Sequence, residues 1–129
     1  MDTTSPQGSR KIMIVDDELF FRELLRDMLE REGFTIVAEA TDGAEAVAKY
    51  RELHPEVTVM DIFMPGENGI DATREIVAFD PNAKVLICSG VGYDDDIDAA
   101  LQAGARGIIY KPFMPAEVFD SIAKVTGGS

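Results

Sequence analysis

The 129-residue chain has one cysteine, one histidine and no tryptophan, and its 12 basic side chains face 24 acidic ones. Each scarcity excludes something. Cys88 has no second thiol, so no internal disulfide can staple the fold. His54 has no companion histidine with which to share a metal. It stands just before Pro55 at a predicted helix end, where a dipolar side chain is favoured, and reads as surface structure rather than as a phosphoryl carrier or zinc ligand. No apolar run approaches the roughly 20 residues that span a bilayer, and the N-terminus shows no secretory pattern, so the expected location is the cytoplasm. A formal net charge of -12 argues against binding nucleic acid or an anionic membrane through the overall field, and favours cations and basic partner surfaces.

What is present suits one domain: 46% of the residues are hydrophobic, enough for a core at this length. Residues 1–10, rich in Ser, Thr, Gly and Pro, read as a flexible leader and 126–129 as a tail, leaving 11–125 for the folded unit. Compact apolar runs predict strands over Lys11–Val15, Phe34–Ala38, Val57–Asp61, Lys84–Cys88 and Gly107–Tyr110. Between them, helical spacing predicts buried faces of Phe21, Leu24, Leu25 and Met28, then of Ala44, Val47 and Ala48. A third helix begins near Ile70, a fourth buries Ile97, Ala100 and Leu101, and a fifth buries Val118, Ile122 and Val125. Asp42 reads as a helix cap, and Asn68-Gly69 as two residues tolerant of positive φ. The Lys111-Pro112 bond is a candidate for the cis isomer, because a tertiary amide lowers the penalty. Alternation of strand and helix with short connections calls for a parallel sheet covered on both faces, with ligands bound beyond the carboxyl ends of its strands.

Those strand ends are where the sequence concentrates chemistry. Asp16, Asp17 and Glu18 follow the first strand, Asp61 ends the third, Ser89 follows the fourth and Lys111 the fifth. Singly, each has an ordinary account: Asp61 as a cap for the next helix, the acidic trio as a complement to a helix dipole. Capping does not bring acids, a hydroxyl and a lysine to one edge. Adjacent carboxylates repel one another unless a cation lies among them, and Mg²⁺, which takes oxygen ligands and one or two carboxylates, suits the set. Asp94, Asp95, Asp96 and Asp98 read instead as a solvated, dipole-matched helix start. Alternation buries Cys88 as a small apolar residue and turns Ser89 the other way.

The pattern Ile14-Val15-Asp16-Asp17-Glu18, then Met60-Asp61 with Met64-Pro65 and Asn68-Gly69, then Ser89, then Lys111-Pro112-Phe113 resembles the receiver domain of two-component response regulators. The likeness spans about residues 11–125 and is strongest to single-domain chemotaxis-type regulators, including the run Ala38-Glu39-Ala40-Thr41-Asp42-Gly43. It implies an α/β, flavodoxin-like (βα)5 fold, a doubly wound parallel sheet with strand order 2-1-3-4-5. It implies that Asp61 accepts a phosphoryl group from a sensor histidine kinase or phosphotransfer protein. Asp17, Asp61 and the backbone carbonyl of Phe63 would then bind Mg²⁺ directly, and Asp16 through water. Lys111 would neutralise the phosphoryl oxygens, and Ser89 would donate to them. Phosphorylation would switch the surface of the fourth helix, fifth strand and fifth helix toward a downstream target protein, with a phosphatase as a further partner. The resemblance thus implies a signalling domain rather than an enzyme, a monomer or activation-dependent dimer, with no direct contact to nucleic acid or membrane.

Two departures from the family pattern carry expectations of their own. Ile108 stands where the family carries an aromatic switch residue, leaving Tyr110, on the same side of the strand, as a weak substitute. Phe63 and Val91, two positions past the acceptor and the hydroxyl, are both apolar, so neither orients an attacking water and the acyl phosphate is expected to be long-lived. Three competing readings meet different obstacles. A flavodoxin-type electron carrier would need a Ser/Thr/Gly-rich phosphate loop where Asp16-Asp17-Glu18 stand. An aspartate-nucleophile phosphohydrolase would want a second acid at the place of Phe63. A phosphorylation-independent receiver would keep the fold as an interaction module.

Overall fold

The structure, a computed structural model, describes residues 10–90 and 92–127; residues 1–9 of the leader, Val91, and 128–129 of the tail lie outside the described residues. Among the described residues five strands alternate with five helices: β1 Lys11–Val15, α1 Leu19–Arg31, β2 Thr35–Ala40, α2 Gly43–Leu53, β3 Val57–Asp61, α3 Gly69–Phe79, β4 Val85–Ser89, α4 Asp94–Ala103, β5 Gly107–Tyr110 and α5 Pro115–Thr126. All neighbouring strands pair in parallel, in the order β2-β1-β3-β4-β5. Every residue of β3 and of β4 is buried, as central strands covered on both faces require.

Period-two alternation divides the core between the two faces. Met13, Val15, Met60 and Ile87 pack with Val47 and Tyr50 of α2, Ile76 of α3 and Ala100 of α4. Ile12, Ile14, Val59, Leu86 and Cys88 pack with Leu25 and Leu29 of α1 and Val118 and Ile122 of α5. Consecutive residues of one strand therefore serve opposite layers, and all five strands deliver their carboxyl ends to one edge.

Several local expectations are corrected. Ala44 and Ala48 of α2 are exposed, while Ala46, Val47 and Tyr50 are buried. A methyl group offers little area to bury, so the large ring of Tyr50 decides which way the helix turns. Leu24 and Leu101 also face outward, at 36% and 42% exposure. Leu29 replaces Leu24 on the inner face of α1, and Ala103 replaces Leu101 on that of α4. β2 begins at Thr35 rather than Phe34 and runs on to Ala40, because it pairs with the full length of β1. Arg10, read as leader, belongs to the fold: its guanidinium pairs with Glu56 and its carbonyl accepts from the Thr35 N–H at 3.0 Å. The tail reading is likewise trimmed, since α5 includes Thr126, whose hydroxyl donates to the Ile122 carbonyl at 2.9 Å.

The caps show why the loops stand where they do. Asp42 accepts from the Glu45 N–H at 2.8 Å, as expected of a cap. Asn68 is also a cap, accepting from the Asp71 N–H at 2.9 Å with φ -82°, so it does not use positive φ. Gly69 is required for another reason: a Cβ there would lie 2.1 Å from the Asp61 carbonyl oxygen. The left-handed turn is made earlier, at Gly66, with φ +73°. Lys111-Pro112 is cis.

Candidate functional site

β1 is followed at once by a residue whose polar groups are all engaged. Asp16 is 1% exposed; its N–H donates to the Ala40 carbonyl at 3.0 Å, and its Oδ1 accepts from the Glu18 N–H at 2.9 Å. Its Oδ2 accepts from Lys111 Nζ at 3.1 Å, and its carbonyl from Arg22 Nη1 at 2.8 Å. Asp61, at the end of β3 and 7% exposed, places Oδ1 3.4 Å from the same Lys111 Nζ. Asp17 is exposed beside them, and Asp16, Asp17 and Asp61 each offer a carboxylate oxygen within 4.8 Å of the others.

Three carboxylates and one ammonium leave this cluster short of positive charge. Burial, and then the neighbouring Asp16 carboxylate, push the Asp61 carboxyl up from 3.8 to about 6, although Lys111 pulls it back. Burial alone would lower Lys111, but Asp61 and Asp16 outweigh it and hold the ammonium above its ordinary value, so it remains charged. Nζ also lies 4.1 Å from the centroid of the Phe21 ring, whose face favours a cation.

The remaining residues form the rim. Ser89 is buried; its hydroxyl donates to the Gly90 carbonyl at 3.1 Å, and its own carbonyl accepts from the Lys111 N–H at 2.9 Å, which fixes where the lysine stem starts. Phe63 is exposed and meets Tyr93 edge-on, with 5.1 Å between ring centroids, joining the loops that follow β3 and β4. The loop after β3 is held on its other side by the Gly43 N–H, which donates to the Glu67 carbonyl at 2.8 Å. Ile108 is half-buried against the layer of α2, α3 and α4, and Tyr110 is 43% exposed. The Cys88 thiol is buried and burial pushes it up, so it stays a thiol. His54 ends α2 in the left-handed region, with φ 48°, near the rings of Tyr50 and Phe79.

The fold thus brings together Asp16, Asp17, Asp61 and Lys111, and sets Ser89 and Phe63 on the segments that flank them. Three participants escaped the sequence reading. Phe21 has the spacing of a core residue of α1, yet its ring also lies against Lys111. Tyr93, just ahead of the acidic start of α4, carries no local signal of its contact with Phe63. Arg22 went unremarked because its second partner, Glu39, lies 17 residues away on β2.

Fold and site define a class. The chain belongs to the response regulator receiver domain family, which it matches over residues 12–123. Among its relatives is the chemotaxis protein CheY of Thermotoga maritima, 45% identical over 117 residues that cover 91% of this chain and 98% of that protein. CheY of Bacillus subtilis is 43% identical over 116 residues, covering 90% and 97% respectively. In structure, it matches a chain of the CheX–CheY–BeF3–Mg²⁺ complex of Borrelia burgdorferi, with a TM-score of 0.86, 34% identity and coverage of 91% and 89%. It is a CheY-type receiver, a signalling domain of two-component systems. No helix among the described residues is long and apolar enough to cross a membrane.

Proposed function

We propose that this receiver is a switch thrown by phosphorylation of Asp61, and the observation that carries the reading is the buried, charge-deficient cluster around that residue. The donor set suits Mg²⁺: it is all oxygen, three carboxylates each offer an atom within 4.8 Å of the others, and burial, then the Asp16 carboxylate, push Asp61 up despite Lys111. Asp17 and Asp61, with the Phe63 carbonyl, would hold the ion directly and Asp16 would hold it through water. The Borrelia complex contains both Mg²⁺ and BeF3, which supports the same cation here. When bound, the ion supplies positive charge against the phosphoryl oxygens.

The chain's own residues perform the rest. An Asp61 carboxylate oxygen attacks phosphorus on a phosphohistidine of a sensor kinase or phosphotransfer protein. The new P–O bond forms as the P–N bond breaks, and the imidazole leaves and takes up a proton from solvent. Lys111, already aimed at Asp61 and Asp16, holds an ammonium where the transferred oxygens arrive. The Ser89 hydroxyl exchanges its local bond to the Gly90 carbonyl for one to the phosphoryl group, drawing in the loop after β4. That movement biases the face of α4, β5 and α5, with Ile108 and Tyr110 on β5 as its switch residues, toward a downstream target protein. Phe63 offers the site no group to orient water, so the acyl phosphate is long-lived until a phosphatase acts.

Intact mass after incubation with a small-molecule phosphodonor, with and without Mg²⁺, tests the reading. The wild type should gain one phosphoryl group in a Mg²⁺-dependent way, and Asp61→Asn should gain none. Absence of any gain in the wild type would overturn it in favour of a phosphorylation-independent interaction module.

A further inference from the structure

Of the two cationic side chains that hold Asp16, one reaches in from outside the acid cluster. The Arg22 guanidinium, in the first turn of α1, donates from Nη1 to the Asp16 carbonyl at 2.8 Å and from Nε to Glu39 Oε1 on β2 at 3.1 Å. Both side chains are largely withdrawn from solvent, at 14% and 20% exposure. Arg26 pairs with the other carboxylate oxygen of Glu39, and Lys49 Nζ donates to the Glu39 carbonyl at 2.6 Å, so the rear support is itself fixed. A planar guanidinium serves two acceptors in a set geometry, which a single ammonium on a flexible stem does not reproduce.

The acceptor matters. Arg22 addresses the main-chain oxygen of Asp16 rather than a carboxylate, and its charge is answered by Glu39. That oxygen belongs to the peptide linking Asp16 to Asp17. Rotation about ψ of Asp16 turns this oxygen and the exposed Asp17 side chain together relative to Asp61, so holding the oxygen restrains both. Asp16 has its N–H and carboxylate held elsewhere, so the Arg22 contact completes the restraint on the turn.

We propose that Arg22 is a positioning residue for the acid cluster: by clamping the Asp16–Asp17 peptide to Glu39 it sets the directions of the two carboxylates, and through them the affinity for a divalent cation. The proposal rests on reading the cluster as a Mg²⁺ site, and it makes a prediction opposite in sign to a purely electrostatic role. Removing a cation near three carboxylates would tighten Mg²⁺ binding, whereas removing a clamp loosens it.

The experiment is calorimetric titration of Mg²⁺ into the full chain as wild type, Arg22→Lys and Arg22→Gln, with melting temperature and circular dichroism recorded alongside. Both variants should keep the wild-type spectrum and bind Mg²⁺ at least about tenfold more weakly, the range seen when supports of metal ligands are removed. Phosphoryl uptake from a small-molecule donor should need correspondingly more Mg²⁺ and reach the wild-type plateau once the ion saturates, which a general loss of structure would not allow. Wild-type affinity in Arg22→Lys, or tighter binding in Arg22→Gln, overturns the proposal. A wild type that binds Mg²⁺ but takes up no phosphoryl group defeats the proposed function and leaves the affinity comparison standing; a wild type that binds no Mg²⁺ overturns both.

Discussion

At the carboxyl end of the sheet two buried aspartates face one lysine; at the opposite end a buried tyrosine faces one aspartate. In the second case the Tyr50 hydroxyl donates to Asp80 Oδ2 at 2.7 Å, joining the ends of α2 and α3. Burial, then the hydrogen bond to Asp80, raise the phenol, while the bond from Tyr50 holds the Asp80 carboxyl below its ordinary value. Donor and acceptor there satisfy each other. At the carboxyl end the balance is reversed, because Asp61 is pushed up and its anionic form is the costly one. One end of the molecule closes the fold, and the other holds charges whose natural complement is a cation or a covalent modification.

This contrast predicts opposite responses to pH. Native Asp61 titrates near 6 rather than 3.8, so between those values the folded chain binds more protons than the unfolded one, and stability falls as pH rises through that window. The displacement corresponds to roughly 3 kcal/mol at neutral pH. In Mg²⁺-free buffer, Asp61→Asn should therefore be more stable than wild type by up to about that amount at pH 7, and the advantage should vanish near pH 4. Urea denaturation at the two pH values measures it, and an advantage that does not grow with pH would break the comparison.

A smaller effect is expected at the other end. Tyr50→Phe removes one hydrogen bond to a carboxylate and should cost about 1 kcal/mol at pH 7. Because Asp80 is held low, that contribution is present above its unfolded value and fades in acid as the native carboxyl protonates, so the two variants should converge on wild type from opposite sides. The same denaturation series checks this. The smallest stability change belongs to Phe63→Asn, on a ring that is 51% exposed, and should lie within about 0.5 kcal/mol. Its effect should instead be kinetic: the amide can orient water, so the phosphorylated variant should decay several-fold faster than wild type when followed by intact mass.

The sheet and the acid cluster were legible because their signals are local. β3 falls on the predicted span, Asp42 caps as its position demands, and the residues that converge stand directly at strand ends. What was not legible depends on which elements meet. The inward face of α2 follows from Tyr50 reaching Asp80, 30 residues away, and no helical period reveals that. Gly69 resembled a turn glycine, yet its cause is a carbonyl eight positions earlier that no side chain can overlie. Arg22 escaped notice because an arginine on an amphipathic helix looks solvent-facing until β2 lies beside it.

The absence of a side chain at Gly69 lets the first turn of α3 lie against the Asp61 carbonyl, and the Gly69 N–H also donates to the Ile62 carbonyl at 2.8 Å. Through Gly43 and Glu67 the same loop is joined to α2. Asp61, its loop and the starts of α2 and α3 are thus tied into one jaw, whereas on the proposed reading Ser89 and Tyr93 stand on the jaw that would travel. A protein gripping α2 and α3 would have nearly equal affinity for the modified and unmodified forms, and could serve only as an anchor. A protein that must tell the two forms apart has to touch the other side.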